Sequence, residues 1–355
     1  MEGIILAAGK GSRLRPLTLT VPKPLIPVAG KPLVQYGIEQ LRGVGVERAV
    51  VVVGWLGELF KEVLGDGSAL GMRFEYVLQP KRLGVAHAIH TAIVNANVRS
   101  PFLVYFGDNV FDDEWVKKFN SVDEEFDAFV VLAKVEDPRR FGVPVIESGR
   151  IVKFVEKPER PPSNYALTGL YAFRDPEQYE SCFSELKPSW RGEYEITDLL
   201  NCYIRRGYDV KYAVVEGWWK DTGVPEDLIE AMKFILEKKL IHKVEGSVEG
   251  EVVGKVYVAR GATVEGRLVG PAYVGPGAEV RGSAGPFVDV EEGSVAEGSF
   301  VESLILKGSK VLMRGGATLK RSVVGDYSNI EVDAPVSLED ALFASESALK
   351  VGRLD

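Results

Sequence analysis

Three features of this sequence predict an α/β chain: a Rossmann-like mixed sheet followed by a left-handed parallel β-helix of hexapeptide-like repeats. Apolar strand runs alternate with helix-spaced segments up to about residue 215, which implies a mainly parallel sheet with ligand-binding loops at the strand carboxyl ends. The first apolar run stops in Gly9-Lys10-Gly11, a tight backbone loop of the kind that cradles anions. After residue 244 glycine and valine dominate, helical spacing disappears and a repeat sets in. At 355 residues the chain exceeds one ordinary domain, and the change of pattern divides it into 1–240 and 241–355.

Taken in order, Ile4-Ile5-Leu6-Ala7-Ala8 reads as a buried strand that delivers the glycine loop. Helical spacing follows over 33–42, opened by Pro32 at a good first helical position. The run Ala49-Val50-Val51-Val52-Val53 is a fully buried strand ended by Gly54, and 74–78 and 101–106 are further strands, with a helix over 85–94. Ile151–Val155 adds another strand, and a last helix from about Pro225 to Leu240 carries Leu228, Ile229, Met232, Ile235 and Leu236 on one side. Beyond it, Val258-Ala259-Arg260-Gly261-Ala262-Thr263-Val264-Glu265-Gly266 recurs at Val274–Gly282 and, eroded, at Val290–Gly298. The spacing of sixteen is close to three six-residue rungs, so small apolar residues stack inward while glycines turn the corners. The exposed flank of such a coil is a natural site for a homo-oligomer.

Composition excludes several classes. A net charge of −8 argues against a nucleic-acid groove, which would show a basic excess. No apolar run approaches a membrane span, and the first one lacks a basic leader region, so a cytoplasmic protein is expected. Cys182 and Cys202 fit no metal spacing and read as reduced thiols. Abundant Glu, Lys and Arg with few Gln, Cys and Met point to a thermophilic source.

The chemistry-bearing segments lie in the first 225 residues. A dinucleotide fingerprint would need a third glycine where Leu14 sits, and a P-loop would need Gly-Lys-Ser/Thr, which Gly11-Ser12-Arg13 does not supply. Arg13, Arg15 and Lys23 follow the loop, ready to neutralise a polyphosphate, and Pro22 and Pro24 flank Lys23, pushing it into an extended conformation. The strand Phe102–Phe106 runs into Gly107-Asp108-Asn109, where a carboxylate is well placed for Mg²⁺, and Trp219-Lys220-Asp221 supplies a second carboxylate. Gln79 leaves a strand with an amide that matches the imide edge of uracil or thymine. In Glu156-Lys157-Pro158 the carboxylate can take sugar hydroxyls and the lysine a phosphate. His87 and His90 lack a third ligand nearby and read as packed or solvated side chains.

The run Gly9-Lys10-Gly11-Ser12-Arg13-Leu14-Arg15-Pro16-Leu17-Thr18 with Pro22-Lys23-Pro24-Leu25 resembles the sugar-phosphate nucleotidylyltransferases. Arg140–Val143, Ser163–Tyr171, Arg191–Asp198 and Trp219–Gly223 are similar to the glucose-1-phosphate thymidylyltransferases, in their longer form with an added β-helix. That resemblance implies a nucleotide site on Leu6, Ala8, Gly9, Gly11, Ser12, Arg13, Gln79 and Gly84, with Arg13, Lys23 and Asp108 catalytic. It implies a sugar-phosphate pocket on Asn109, Gly142, Glu156, Lys157, Leu167, Arg191 and Trp219, and Mg²⁺ on Asp108 and Asp221. Phe141 stands where the family often has tyrosine, which removes a hydroxyl from the pocket.

The reaction so implied is attack of a sugar-1-phosphate oxygen, most simply that of glucose 1-phosphate, on the α-phosphate of dTTP or UTP, with pyrophosphate leaving. The nucleophile is already an anion and needs no general base. Two other readings remain. One is a second, acetyl-transferring activity of the β-helix, against which stands the absence of histidine after His242. The other is a non-catalytic regulatory subunit, against which stands the presence of Arg13, Lys23, Asp108 and Asp221.

Overall fold

The structure, a computed structural model, describes residues 1–120 and 125–352. The chain divides into two compact units, Met1–Lys10 with Val34–Asp221 and Gly11–Leu33 with Thr222–Asp355.

The first unit is built on a seven-stranded sheet in the order Val210–Val214, Ala128–Lys134, Tyr165–Phe173, Phe102–Phe106, Glu2–Ala7, Arg48–Val53, Arg73–Leu78. Neighbours are parallel except at Tyr165–Phe173, which is antiparallel to both of its partners, so the sheet is mixed as predicted. The continuous Ala49–Val53 run is buried along its length, as a strand with two covered faces requires. Helix Val85–Asn95 packs against the strands Glu2–Ala7 and Arg48–Val53, with Ala86, Ile89 and Ala92 fully buried. Helix Leu33–Gly43 starts one residue after Pro32, because Pro32 pairs with Pro27 in a short antiparallel ladder.

One expectation is corrected here. Cys182 and Cys202 form a disulfide, with Cα atoms 5.8 Å apart, rather than standing as two thiols. They lie on helices Pro176–Phe183 and Ile196–Arg205, which pack side by side, and both are fully buried. A separation of twenty residues carries no trace of that helix pairing in the sequence.

The second unit is a parallel β-helix preceded by helix Pro225–Phe234, which ends in a wider turn over Ile235–Lys239. Ser247, Thr263, Glu279 and Val295 stand in register sixteen residues apart; the step is then fifteen to Lys310 and nineteen to Asn329 and Ala348. The strand Val295–Val301 shows how each coil is divided. Its first half pairs with Lys310–Arg314 and its second half with Thr318–Lys320, with the corner at Gly298, whose φ of 123° favours glycine. Together with the short strands Val256–Val258, Ala272–Val274 and Val288–Val290, this makes three faces per coil, as the repeat predicts. Inside, Val264, Val280 and Ala296 stack in line, and so do Val258, Val274, Val290 and Ile305.

Buried serines close the corners. Ser294 Oγ donates to Leu306 O and accepts from Ser309 N; Ser309 Oγ donates to Gly325 O and accepts from Ser328 N. Each hydroxyl thereby satisfies two backbone groups that the turn would otherwise leave unpaired. The helix is tied to the coils by Lys255 Nζ donating to Glu237 O at 2.8 Å, by the Lys233–Glu302 ion pair at 3.1 Å and by Lys233 lying 5.2 Å over the Phe287 ring.

The segment Gly11–Leu33 belongs to this second unit. Asp289 and Glu291 of the β-helix accept hydrogen bonds from the backbone N–H groups of Ala29 and Gly30 at 2.6 and 2.9 Å, and Tyr273 packs against Gly30. Lys23 departs from the extended conformation expected of it. It opens the short helical turn Lys23–Leu25, held by Leu25 N to Pro22 O and Ile26 N to Lys23 O at 2.8 and 3.1 Å. Burial of Leu25 and Ile26 together with these bonds outweighs the bias that Pro24 imposes on the residue before it.

Candidate functional site

In the first unit the ends of the central strands surround a cavity of about 440 Å³. Leu6, Ala8, Gly9, Gln79, Gly84 and Asp108, six residues singled out in the sequence, line it together. Arg82, Val85, Ala88, Phe106 and Glu193 complete the wall; they lie in segments that the sequence marks, but none of them was singled out as a site residue. Strand order explains the convergence: Glu2–Ala7, Phe102–Phe106 and Arg73–Leu78 all deliver their carboxyl ends to one edge of the parallel region. Gly84 shapes the opposite wall. Its φ of 100° and the Tyr194 carbonyl, 2.5 Å from where a Cβ would stand, leave room for no side chain.

Next to Asp108, Asn109 Oδ1 accepts from Trp219 Nε1 at 2.6 Å and from Gly169 N at 3.2 Å. These bonds set the amide so that Asn109 Nδ2 donates to Asp108 Oδ1 at 3.0 Å. Gly169 lies where the pairing of Tyr165–Phe173 with its Ala128–Lys134 neighbour lapses, a local irregularity that re-aims the backbone toward Asn109. Phe141 stacks edge-on against Trp219 at 5.6 Å.

The remaining sugar-pocket candidates also gather within this unit. Arg191 bridges Glu156 at 3.3 Å, Glu195 at 3.6 Å and Glu193, while Thr197 Oγ1 donates to Glu156 at 3.1 Å. Gly142 lies against Leu167, Thr197 and Glu156. Lys157 sits 3.8 Å from Glu156 with a φ of 41°, an uncommon conformation secured by its N–H donating to Phe141 O. Burial pushes the Glu195 carboxyl above its usual range, Ser189 opposes that, and Glu156 adds to it. One guanidinium among three carboxylates leaves this corner rich in acceptors suited to hydroxyl groups.

Asp221 closes the strand Trp219–Asp221, directly opposite Asn109 in the antiparallel ladder with Asn109–Phe111. Asp108 and Asp221 are therefore brought to adjacent chain positions by one strand pair. Two carboxylates without imidazole or thiolate are a hard-oxygen donor set that suits Mg²⁺. Among the described residues no group of three or more His, Cys, Asp and Glu side chains is placed to hold a metal, so phosphate oxygens and water would complete the shell.

The basic candidates of the N-terminal loop, Arg13 and Lys23, lie in the second unit. Gly11 N-caps the short turn Ser12–Leu14, and Thr18 Oγ1 donates to Gly11 O at 2.8 Å. Arg13 lies against Gly223, and Lys23, only 7% exposed, lies beside Gly11. This arrangement packs the loop from within its own unit, which is what a phosphate-binding loop needs for a fixed backbone.

A family model described as nucleotidyl transferase matches residues 2–238. The chain belongs to the nucleotidyl transferase family. It is 42% identical over 341 residues to the low-salt glycan biosynthesis nucleotidyltransferase Agl11 of Haloferax volcanii, covering 93% of this chain and 94% of that one. It is 36% identical over 342 residues to a glucose-1-phosphate thymidylyltransferase of Streptomyces griseus, covering 93% of each. The UTP–glucose-1-phosphate uridylyltransferase AglF of Haloferax volcanii is 37% identical over 244 residues, 67% of this chain and 98% of that one. This family member is thus a sugar-phosphate nucleotidyltransferase. No helix among the described residues is long and apolar enough to cross a membrane.

Proposed function

We propose that this protein transfers a nucleotidyl group from dTTP to glucose 1-phosphate, giving dTDP-glucose and pyrophosphate, in the cytoplasm. The observation that carries the reading is the convergence of Gly9, Gln79, Gly84 and Asp108 on one cavity. Similarity to a thymidylyltransferase over 93% of this chain, β-helix included, favours dTTP. UTP is the second reading, favoured by similarity to a uridylyltransferase over 67% of this chain. The Cys182–Cys202 disulfide is compatible with a cytoplasmic thermophile protein, since intracellular proteins of hyperthermophiles carry disulfides.

In this mechanism Gln79 and Gly84 hold the base. Backbone groups of Gly9, Gly11 and Ser12 hold the phosphates, with Leu6 and Ala8 shaping the strand end. Arg13 steadies the triphosphate and the charge that departs with pyrophosphate, and Lys23 stabilises the negative charge that builds on the reacting phosphate. Glu156 and its neighbour Arg191 take the sugar hydroxyls and phosphate, aided by Lys157, Asn109 and the Trp219 wall, with Gly142 and Leu167 below. Asp108 and Asp221 would hold Mg²⁺, which supplies charge neutralisation of the phosphates when bound. Arg13 and Lys23 carry the positioning that phosphoryl chemistry depends on. The domains of this proposal are a catalytic part over 1–240 and a β-helix over 241–355 that assembles the subunits.

The test is pyrophosphate release from a panel of nucleoside triphosphates and sugar-1-phosphates. Preference for dTTP with glucose 1-phosphate is expected. Turnover of UTP in its place would select the second reading, and no turnover with any pair would overturn both.

A further inference from the structure

Gln79 is nearly buried at the end of its strand, and its amide nitrogen makes two contacts. Nε2 lies 3.3 Å from Gly84 O and 3.0 Å from His87 Nδ1. A carbonyl oxygen only accepts, so the atom facing Gly84 must be the amide nitrogen, whatever the state of the histidine. His87 Nδ1 then receives the second N–H and must present its lone pair, which makes the ring neutral with its proton on Nε2. Both donors of Gln79 are consumed inside the protein. The group it has left for a ligand in the cavity is the oxygen, an acceptor.

The ring that enforces this is held on several sides. It stacks on Tyr194 at 6.2 Å with 26° between planes, and it lies 6.4 Å from Phe183. Thr91 Oγ1 donates to the His87 carbonyl at 2.7 Å, so that hydroxyl proton is not available to Nδ1, 3.4 Å away. His90, the other histidine of the pair, is itself bound to Glu180 at 2.7 Å. Burial and then His90 hold the His87 imidazole below its ordinary range, in keeping with the neutral form.

We propose that His87 is a positioning residue that locks the Gln79 carboxamide with its oxygen toward the nucleotide, so that the site accepts bases with an imide N–H and rejects cytosine. Thymine and uracil present N3–H to that oxygen. Cytosine presents a lone pair at the same position and would need the amide turned over, which sets Oε1 against the Gly84 carbonyl and against Nδ1. A site that leaves acceptors facing each other discriminates strongly, because neither group regains its lost water. The proposal rests on the reading of Gln79 as the base contact.

The experiment compares dTTP, UTP and CTP as substrates of the full chain carrying His87→Leu, His87→Gln or Gln79→Ala, with thermal melts alongside. His87→Leu frees the amide: KM for dTTP should rise roughly tenfold and the preference for dTTP over CTP fall roughly tenfold, with kcat and the KM for sugar phosphate within about twofold. His87→Gln restores an acceptor at similar reach and should recover most of the preference. If His87→Leu melts early, His87→Asn, too short to reach Gln79, repeats the test. A nucleotide KM and CTP discrimination unchanged in a folded His87→Leu protein, while Gln79→Ala raises that KM, would overturn the lock alone. An unchanged KM in Gln79→Ala would overturn the base-contact reading and the lock with it.

Discussion

The two units solve the same problem, satisfying and packing a β-sheet, in opposite ways. In the first, no two strands are alike, each helix is placed by its own contacts, and polar side chains gather where strands end. In the second, each coil repeats the one below it, so Val264, Val280 and Ala296 need only their vertical neighbours, and buried serines serve backbone corners. A repeat is stable by summation over neighbours and has little use for a unique residue. The exception is the rung carrying Asp289 and Glu291, where the ladder of Tyr257 and Tyr273 gives way to buried acids. Those acids grip the Ala29–Gly30 turn, so this departure from the ladder is also where the β-helix meets the loop that carries Lys23.

That contrast can be broken at several points, and the largest effect should come from metal removal. EDTA should abolish activity and Mg²⁺ restore it, while Asp108→Asn and Asp221→Asn each raise the Mg²⁺ requirement steeply. Full turnover in metal-free buffer would refute the role of these two carboxylates in the first unit.

In the second unit the decisive residue is Lys23. Lys23→Ala should lower kcat by roughly a hundredfold to a thousandfold, about 2.7–4 kcal/mol, with an unchanged circular dichroism spectrum. A variant with near wild-type kcat would leave the loop no catalytic part.

The disulfide tests the non-repeating unit as a folded body. Cys182→Ser with Cys202→Ser releases a loop of twenty residues and should cost about 3 kcal/mol on the chain-entropy view, read as a lower melting temperature. An unchanged melt in the double variant would mean that the two helices are held by their packing alone.

The smallest effect concerns pH. Burial pushes the Glu291 carboxyl up to about 7 against the opposing hydrogen bonds of Gly30 N–H and Asp289, and burial and Glu291 raise Asp289 as well. A carboxyl whose folded pKa is raised binds its proton more readily in the native state. Its contribution to stability is full below about 4.5 and is lost as pH rises through about 7. The melting temperature should therefore decline between those values. Glu291→Gln keeps an acceptor for Gly30 N–H and should flatten that decline; a slope as steep as in the parent would show that the pair does not set it.

Much of this protein was written in its sequence. The Ala49–Val53 run, the glycine loop after Leu6 and the sixteen-residue repeat are local patterns whose periodicity depends on the chain alone, and each appears where it was predicted. The family resemblance that those motifs carry likewise marks six residues of the cavity wall. Other features depend on what the chain meets after folding. The Cys182–Cys202 bond needed two helices laid side by side, and the Lys23 turn needed Leu25 and Ile26 to find a core strong enough to overrule a proline. The orientation of the Gln79 amide needed Gly84 and His87 on either side of one nitrogen. The Asn109 amide is oriented only by Trp219 and Gly169, which arrive from distant strands. Propensity and periodicity are properties of neighbours in sequence, whereas a hydrogen bond's direction, a buried charge and a covalent cross-link are decided by neighbours in space.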